Sequence, residues 1–163
     1  MLFSVGDRVV YPMHGAGVIE SIEEKEILGA RKSYYVMKLP MGEMNVLIPI
    51  DSTSQVGLRS VIAKELIEQV FLVLQGDQTA MSVNWNRRYR DHLDKIKSGD
   101  ILAVAEVVCN LMSRDREKGL STGESKMLET ARQIMVSELI LVQGVEPSEM
   151  IRILDGIFNQ VLK

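Results

Sequence analysis

The sequence is short of cysteine, histidine, aromatic residues and positive charge, and each shortage removes a class of protein. One cysteine, Cys109, in 163 residues cannot close an internal disulfide, so a cytoplasmic, reducing setting is expected. At a core-facing helical position it reads as a small buried hydrophobe rather than a nucleophile. Two histidines, His14 and His92, have no ligand partner at metal-site spacing, and no metal or other cofactor is expected. Gly15-Ala16-Gly17 is too short for a phosphate loop, and neither a helix nor a Lys-Ser/Thr pair follows it. No apolar run approaches the roughly 20 residues that span a bilayer. Met1 to Asp7 show no basic stretch before an apolar one, so no signal peptide is expected. With no catalytic constellation to assemble, we expect a non-enzyme without a small-molecule substrate. Glu20, Glu23, Glu24 and Glu26 read as a solvated strand face.

A net charge of −3 argues against a protein that coats nucleic acid, because such binding rests on neutralising phosphates. The charge is uneven, however. Arg87, Arg88, Arg90, Lys95 and Lys97 face only Asp91 and Asp94 within residues 84–97, whereas both flanking regions are mildly acidic. A single basic segment suggests a focused contact.

Two periodicities divide the chain. Residues 1–50 alternate as strands do: Val9 and Tyr11, then Val18 to Ile22, then Ser33 to Leu39, then Met44 to Ile50. Gly29-Ala30 and Pro40-Met41-Gly42-Glu43 punctuate them, and Pro12 with Gly15-Ala16-Gly17 marks a tight corner. Short strands in such a span predict a small SH3- or Tudor-like β-barrel that leans on the next helix. Beyond residue 51 the period is helical. Ile62, Leu66, Val70, Phe71 and Leu74 form one stripe, followed by a linker near 75–82. Tyr89, Leu93 and Ile96 form a second. Asp100 is placed to cap a third helix, which Gly119 ends. Ser121 to Glu124 fits a capping box in which Glu124 bonds back to the cap backbone. Pro147 suits the first turn of a last helix ending near Val161. The expected architecture is α+β: a β-domain over 1–54 and a compact helical bundle over 55–163.

The informative segment is Asn84-Trp85-Asn86-Arg87-Arg88-Tyr89-Arg90, which holds the only tryptophan. A helix starting near Asn84 or Asn86 buries Tyr89, Leu93 and Ile96 and turns Arg87, Arg90 and Lys97 outward. Guanidinium groups suit phosphate recognition because their planar fork makes two bonds at once. Trp85 has two readings. It is core beside Tyr89, or it projects next to the arginines, where an indole can stack on a base or wedge into a minor groove. The arginines likewise have a plainer reading, as a solvated face paired with Asp91 and Asp94.

Phe3-Ser4-Val5-Gly6-Asp7-Arg8-Val9-Val10-Tyr11-Pro12-Met13-His14-Gly15-Ala16-Gly17 resembles the opening of the CarD family and of the polymerase-interacting domain of transcription-repair coupling factors. Asn84 to Tyr89, Ser98-Gly99-Asp100, Arg114 to Ser121 and Glu124 to Leu128 resemble the helical domain of CarD and CdnL proteins, in order and at similar spacing. No helicase motor follows in these 163 residues, so a CarD-type protein rather than a coupling factor is expected. The resemblance implies an N-terminal domain that binds the β subunit of bacterial RNA polymerase and a C-terminal domain at the upstream edge of the promoter bubble. The residue matching Trp85 is there a minor-groove wedge that prolongs the open complex. It implies DNA contacts from Asn84, Trp85, Arg87, Arg88, Arg90 and Lys126, and polymerase contacts from Lys25 and from Asn45-Val46-Leu47-Ile48-Pro49, a strand edge open to β-augmentation. Some relatives carry arginine where this chain has Lys25 and Leu47, which shifts weight to backbone pairing. Recruitment through polymerase implies association with the nucleoid. Two other readings remain: a polymerase adaptor without DNA contact, and a reader of single strands through Tyr11, Tyr34 and Tyr35.

Overall fold

The structure is a computed structural model that describes residues 2–41 and 44–161, with side chains to Asn159. Strands β1 (Arg8–Tyr11), β2 (Gly15–Ile27), β3 (Ala30–Lys38) and β4 (Asn45–Pro49) come first, then a short helix α1 (Thr53–Val56) and strand β5 (Arg59–Ser60). Helices α2 (Ile67–Gln75), α3 (Trp85–Lys97), α4 (Ile101–Lys118), α5 (Thr122–Gln143) and α6 (Pro147–Val161) follow. This is the expected α+β order.

The strands form one antiparallel sheet in the order β4-β3-β2-β1-β5. Among the described residues no β4–β5 ladder closes it, so the sheet is open and β4 is an edge. Alternation sorts its faces. Val9, Ile19, Tyr35, Met37 and Ile48 bury one side together with Leu58. Tyr35 adds a polar anchor, its hydroxyl donating to the Phe3 carbonyl at 3.0 Å and accepting the Phe3 N–H at 3.2 Å. The β2–β3 turn falls on Leu28 (φ 54°) and Gly29 (φ 79°), one residue before the expected Gly29-Ala30. Two successive positive φ values suit the right-handed twist of a hairpin. Gly42 and Glu43 of the expected β3–β4 turn lie outside the described residues. Tyr34 and Tyr35 are buried, so no open aromatic row is available to stack single-stranded bases.

The sheet runs past the expected boundary at residue 54, because Arg59 and Ser60 pair with β1. It leans on α5, far along the chain, rather than on the next helix. The Ala16 N–H donates to Ser137 Oγ at 2.9 Å, and Arg8 Nη1 donates to the Leu141 carbonyl at 2.6 Å. Gly15 sits against α5 so closely that a Cβ there would lie 2.8 Å from Ser137 Oγ. Arg59 reaches Glu138 with two bonds of 2.8 Å, and Glu138 also accepts the Ile62 N–H at 2.8 Å.

The helices share one core that includes Val70, Leu74, Ile96, Val104, Val108, Leu111, Met135, Leu139 and Leu154. Asp100 caps α4 by accepting from the Leu102 N–H, and Ser121 caps α5 by accepting from the Glu124 N–H. Pro147 opens α6 and Gly119 ends α4, as expected. Leu66 lies in a 3₁₀ turn before α2, and Ile62 precedes it. The segment between α2 and α3 is irregular but pinned. Asn110, fully buried on α4, accepts the Thr79 N–H and donates to Thr79 Oγ1, both at 2.8 Å.

Candidate nucleic-acid interface

Helix α3 begins where the sequence places it. The Asn84 side chain accepts the Arg87 N–H at 3.0 Å, which satisfies an otherwise orphaned donor and fixes Trp85 as the first helical residue. Trp85 is 41% exposed, so it is neither core nor free in solvent. Its ring stacks on Tyr89, with centroids 5.0 Å apart and planes 18° from parallel. Its Nε1–H donates to Ser121 Oγ at 3.0 Å. Part of the residue thus remains open to solvent, and Val83, next to the cap, is fully exposed.

Arg87 and Arg90 are exposed one turn apart on α3, and neither forms an ion pair among the described residues. The plainer expectation, pairing with Asp91 and Asp94, is not what the structure shows. Lys126 is exposed one turn beyond Gly123, the residue on α5 that abuts the Trp85 ring. Asn84, Trp85 and Lys126 thus lie where the first turns of α3 and α5 meet, whereas Arg87 and Arg90 project from a different side of α3, two and five residues past the indole.

Arg88 does not belong to that surface. It is 2% exposed, and its Nε and Nη2 meet the two Glu124 oxygens at 2.9 and 3.0 Å. Its Nη1 donates to the Ser82 carbonyl at 3.1 Å. The hydrogen bond from Arg88 holds the Glu124 carboxyl below its usual range, outweighing the upward pull of burial, and the same bond raises Arg88. Glu124 is therefore not the returning half of a capping box. A fully buried carboxylate takes the guanidinium because only a charged, bidentate donor offsets its desolvation. The buried face of α3 is Arg88, His92 and Ile96, a row that an apolar count cannot find. His92 lies 3.3 Å from Asn110 Nδ2, and burial pushes its imidazole below the ordinary value. Cys109 is buried, as expected, with its thiol 3.5 Å from the Gly76 carbonyl, and burial raises it.

Ser121 and Gly123 were not foreseen as parts of this site. The capping pattern located Ser121, but its second partner lies 36 residues away and leaves no local signal.

The other expected contact strip divides by strand alternation. Leu47 faces the same way as Lys25 and Glu23, because Leu47 pairs with Val36, and Lys25 with Lys32, on one side of β3. Asn45 and Leu47 are exposed, whereas Val46 and Pro49 are half-buried. Ile48 is fully buried in the sheet core, so its side chain is structural and only its backbone belongs to the edge. Lys25 is exposed, 3.5 Å from Glu23.

Comparison with known proteins covers both halves. The family described as "CarD-like/TRCF RID domain" matches residues 3–62, and that described as "CarD, C-terminal domain" matches residues 69–155. A "Putative transcription factor YdeB" of Bacillus subtilis (strain 168) is 38% identical over 149 residues, covering 91% of this chain and 97% of that protein. The solution NMR structure of the 72-residue N-terminal domain of Myxococcus xanthus CarD is 31% identical over 36% of this chain and 77% of that chain, at a TM-score of 0.32. Among the described residues no helix is long and apolar enough to cross a membrane.

Proposed function

Because the chain belongs to the CarD family, with a domain of the polymerase-interacting type ahead of a CarD C-terminal domain, we propose that it regulates transcription by gripping RNA polymerase and promoter DNA together. The edge strand β4, with Asn45 and Leu47 outward and Lys25 on the same sheet face, docks on the polymerase β subunit through backbone pairing. Trp85 enters the minor groove at the upstream edge of the bubble, while Asn84, Arg87, Arg90 and Lys126 meet the backbone beside it. A ligand that binds the open state better than the closed one shifts the population by that difference. The result is a longer-lived open complex, and the work takes place in the cytoplasm on the nucleoid.

The observation that carries this reading is a half-exposed indole, braced by Tyr89 and Ser121 at the meeting point of two helix starts, on a helix that also exposes Arg87 and Arg90. The test is the lifetime of the open complex formed by the cognate polymerase, with this protein and with Trp85→Ala. Lengthening by the first and not by the folded second is the expected result. Equal lifetimes, with polymerase binding retained, overturn the DNA half. A polymerase adaptor without DNA contact is then the better account, and the engagement of the indole by Tyr89 and Ser121 is the observation that favours it.

A further inference from the structure

We infer that Ser121 and Gly123, at the start of α5, are positioning residues that hold the Trp85 indole in its outward pose; the consequence for DNA rests on the function proposed above. The indole has three neighbours that fix it in different ways. Tyr89, one helical turn on, supplies a flat floor. Ser121 Oγ accepts the indole N–H at 3.0 Å and so fixes rotation of the ring within its plane. The same oxygen accepts the Glu124 N–H at 3.2 Å, so the indole is tied to the cap of a helix rather than to a mobile surface hydroxyl.

Gly123 does its part by absence. A Cβ built there would lie 3.3 Å from Trp85 Cζ2, 3.7 Å from Cη2 and 3.8 Å from Tyr89 Cε2. That is closer than side-chain carbons ordinarily approach, so the ring must give by a few tenths of an ångström. Behind the first turns, the buried Arg88–Glu124 pair clamps α3 to α5, so the bracket cannot relax by sliding the helices apart. An unbraced indole samples several rotamers, and only the outward one offers an edge. Bracing removes that cost before DNA is met.

Two substitutions separate pose from stability. Glycine is a tolerable helix cap, so Ser121→Gly removes the indole acceptor with little harm to α5. Alanine favours a helix over glycine, so Gly123→Ala raises or preserves the unfolding midpoint while it crowds the ring. Trp85 is the only tryptophan, so tryptophan fluorescence, excited selectively at the red edge where tyrosine does not absorb, reads this site alone. Ser121→Gly is expected to shift emission to the red, raise quenching by acrylamide and lower anisotropy. Ser121→Asp, which caps the helix and accepts from the indole, restores all three. Gly123→Ala moves the same signals without a fall in midpoint. In the lifetime assay both variants lose most of the lengthening that the wild type confers, and Ser121→Asp keeps it. Unchanged emission, quenching and anisotropy in Ser121→Gly and Gly123→Ala overturn the inference. If those signals shift but Trp85→Ala itself leaves the lifetime untouched, the bracing stands and the proposed function fails. If Trp85→Ala abolishes the effect while both shifted variants retain it, the bracing has no role in DNA contact and that part falls.

Discussion

Arg88→Met is the substitution that most directly separates a buried clamp from a DNA contact. Methionine fills similar length and removes the charge, which leaves Glu124, at 1% exposure, with only the Arg114 guanidinium 3.9 Å away. Breaking a buried pair by deleting one partner costs about 3–5 kcal/mol, because the remaining charge is left buried without its hydrogen-bonded partner. The carbonyl of Ser82 loses its donor as well. For a chain of this size each kcal/mol moves Tm by about 2–4 °C, so the expected fall is about 6–20 °C. Urea unfolding followed by far-UV circular dichroism reads the free energy, and calorimetry reads Tm. The double substitution Arg88→Met with Glu124→Met removes both charges and is expected to recover most of the loss, because an apolar pair of similar volume has no desolvation to offset. Arg88→Lys falls between, since an ammonium cannot make both bonds at once. An Arg88→Met protein with wild-type stability that no longer holds DNA would refute the reasoning and return Arg88 to the interface.

Other expectations follow from the same geometry. Folded His92 sits below its ordinary pKa because burial disfavours the cation, so the unfolded chain binds the proton first. Stability is then full above about pH 6.5 and declines as pH falls through that value. Glu124 is also depressed, so its contribution is present above the ordinary carboxylate range and is lost as pH falls through its lowered value. Urea midpoints across acidic pH check both, and a His92→Gln protein whose midpoint falls as steeply near pH 6.5 refutes the first. If Arg87, Arg90 and Lys126 each meet one phosphate, binding to DNA falls with salt at a log–log slope of about −2.7, three times −0.9. Each alanine substitution among them flattens the slope by about 0.9, and a steeper wild-type slope would show missing contacts. Leu47→Glu is expected to weaken polymerase binding in a pull-down without changing the midpoint, whereas Ile48→Ala costs about 2–5 kcal/mol of stability as a core truncation. Equal stability effects at the two positions would contradict the assigned faces.

The sequence made the local elements legible and hid the long-range ones. Asn84, Asp100, Ser121, Pro147 and Gly119 each act within a turn or so of themselves, and each marks a helix end where expected. The strands of the sheet were readable because alternation is a property of consecutive residues. Arg88 was not readable. Arginine on a basic helix counts as surface until its partner is known, and Glu124 lies 36 residues away. Two residues of strand, Arg59 and Ser60, are too few for any period to register, so the sheet's last edge was assigned to the helical half. Trp85 divided its two readings because stacking on the i+4 aromatic and projecting outward are compatible at the first turn of a helix.

In the function proposed above, the attachment of sheet to helices determines whether the two contacts act as one. A protein that holds polymerase at one end and DNA at the other gains most when its span is fixed, since a flexible joint spreads the second site over many positions. Here the joint is built from buried and partly buried polar bonds. Glu138, 2% exposed, takes both arms of Arg59 and the Ile62 N–H, while Ser137 next to it takes the Ala16 N–H. Arg59 also donates to the Gly99 carbonyl at 2.7 Å, so one side chain of β5 links the turn before α4 and the C-terminal third of α5. Glu138→Gln keeps the shape but removes the charge and sets an amide N–H₂ against donors. It is expected to loosen the sheet from α5 while leaving β4 and the first turns of α3 and α5 intact. Polymerase affinity then stays near the wild-type value, as does indole fluorescence, while open-complex lengthening falls. A lifetime equal to the wild type's, in a variant whose sheet has detached from α5 by hydrogen exchange at Ala16 and Ile62, would show that the two ends work without a fixed span.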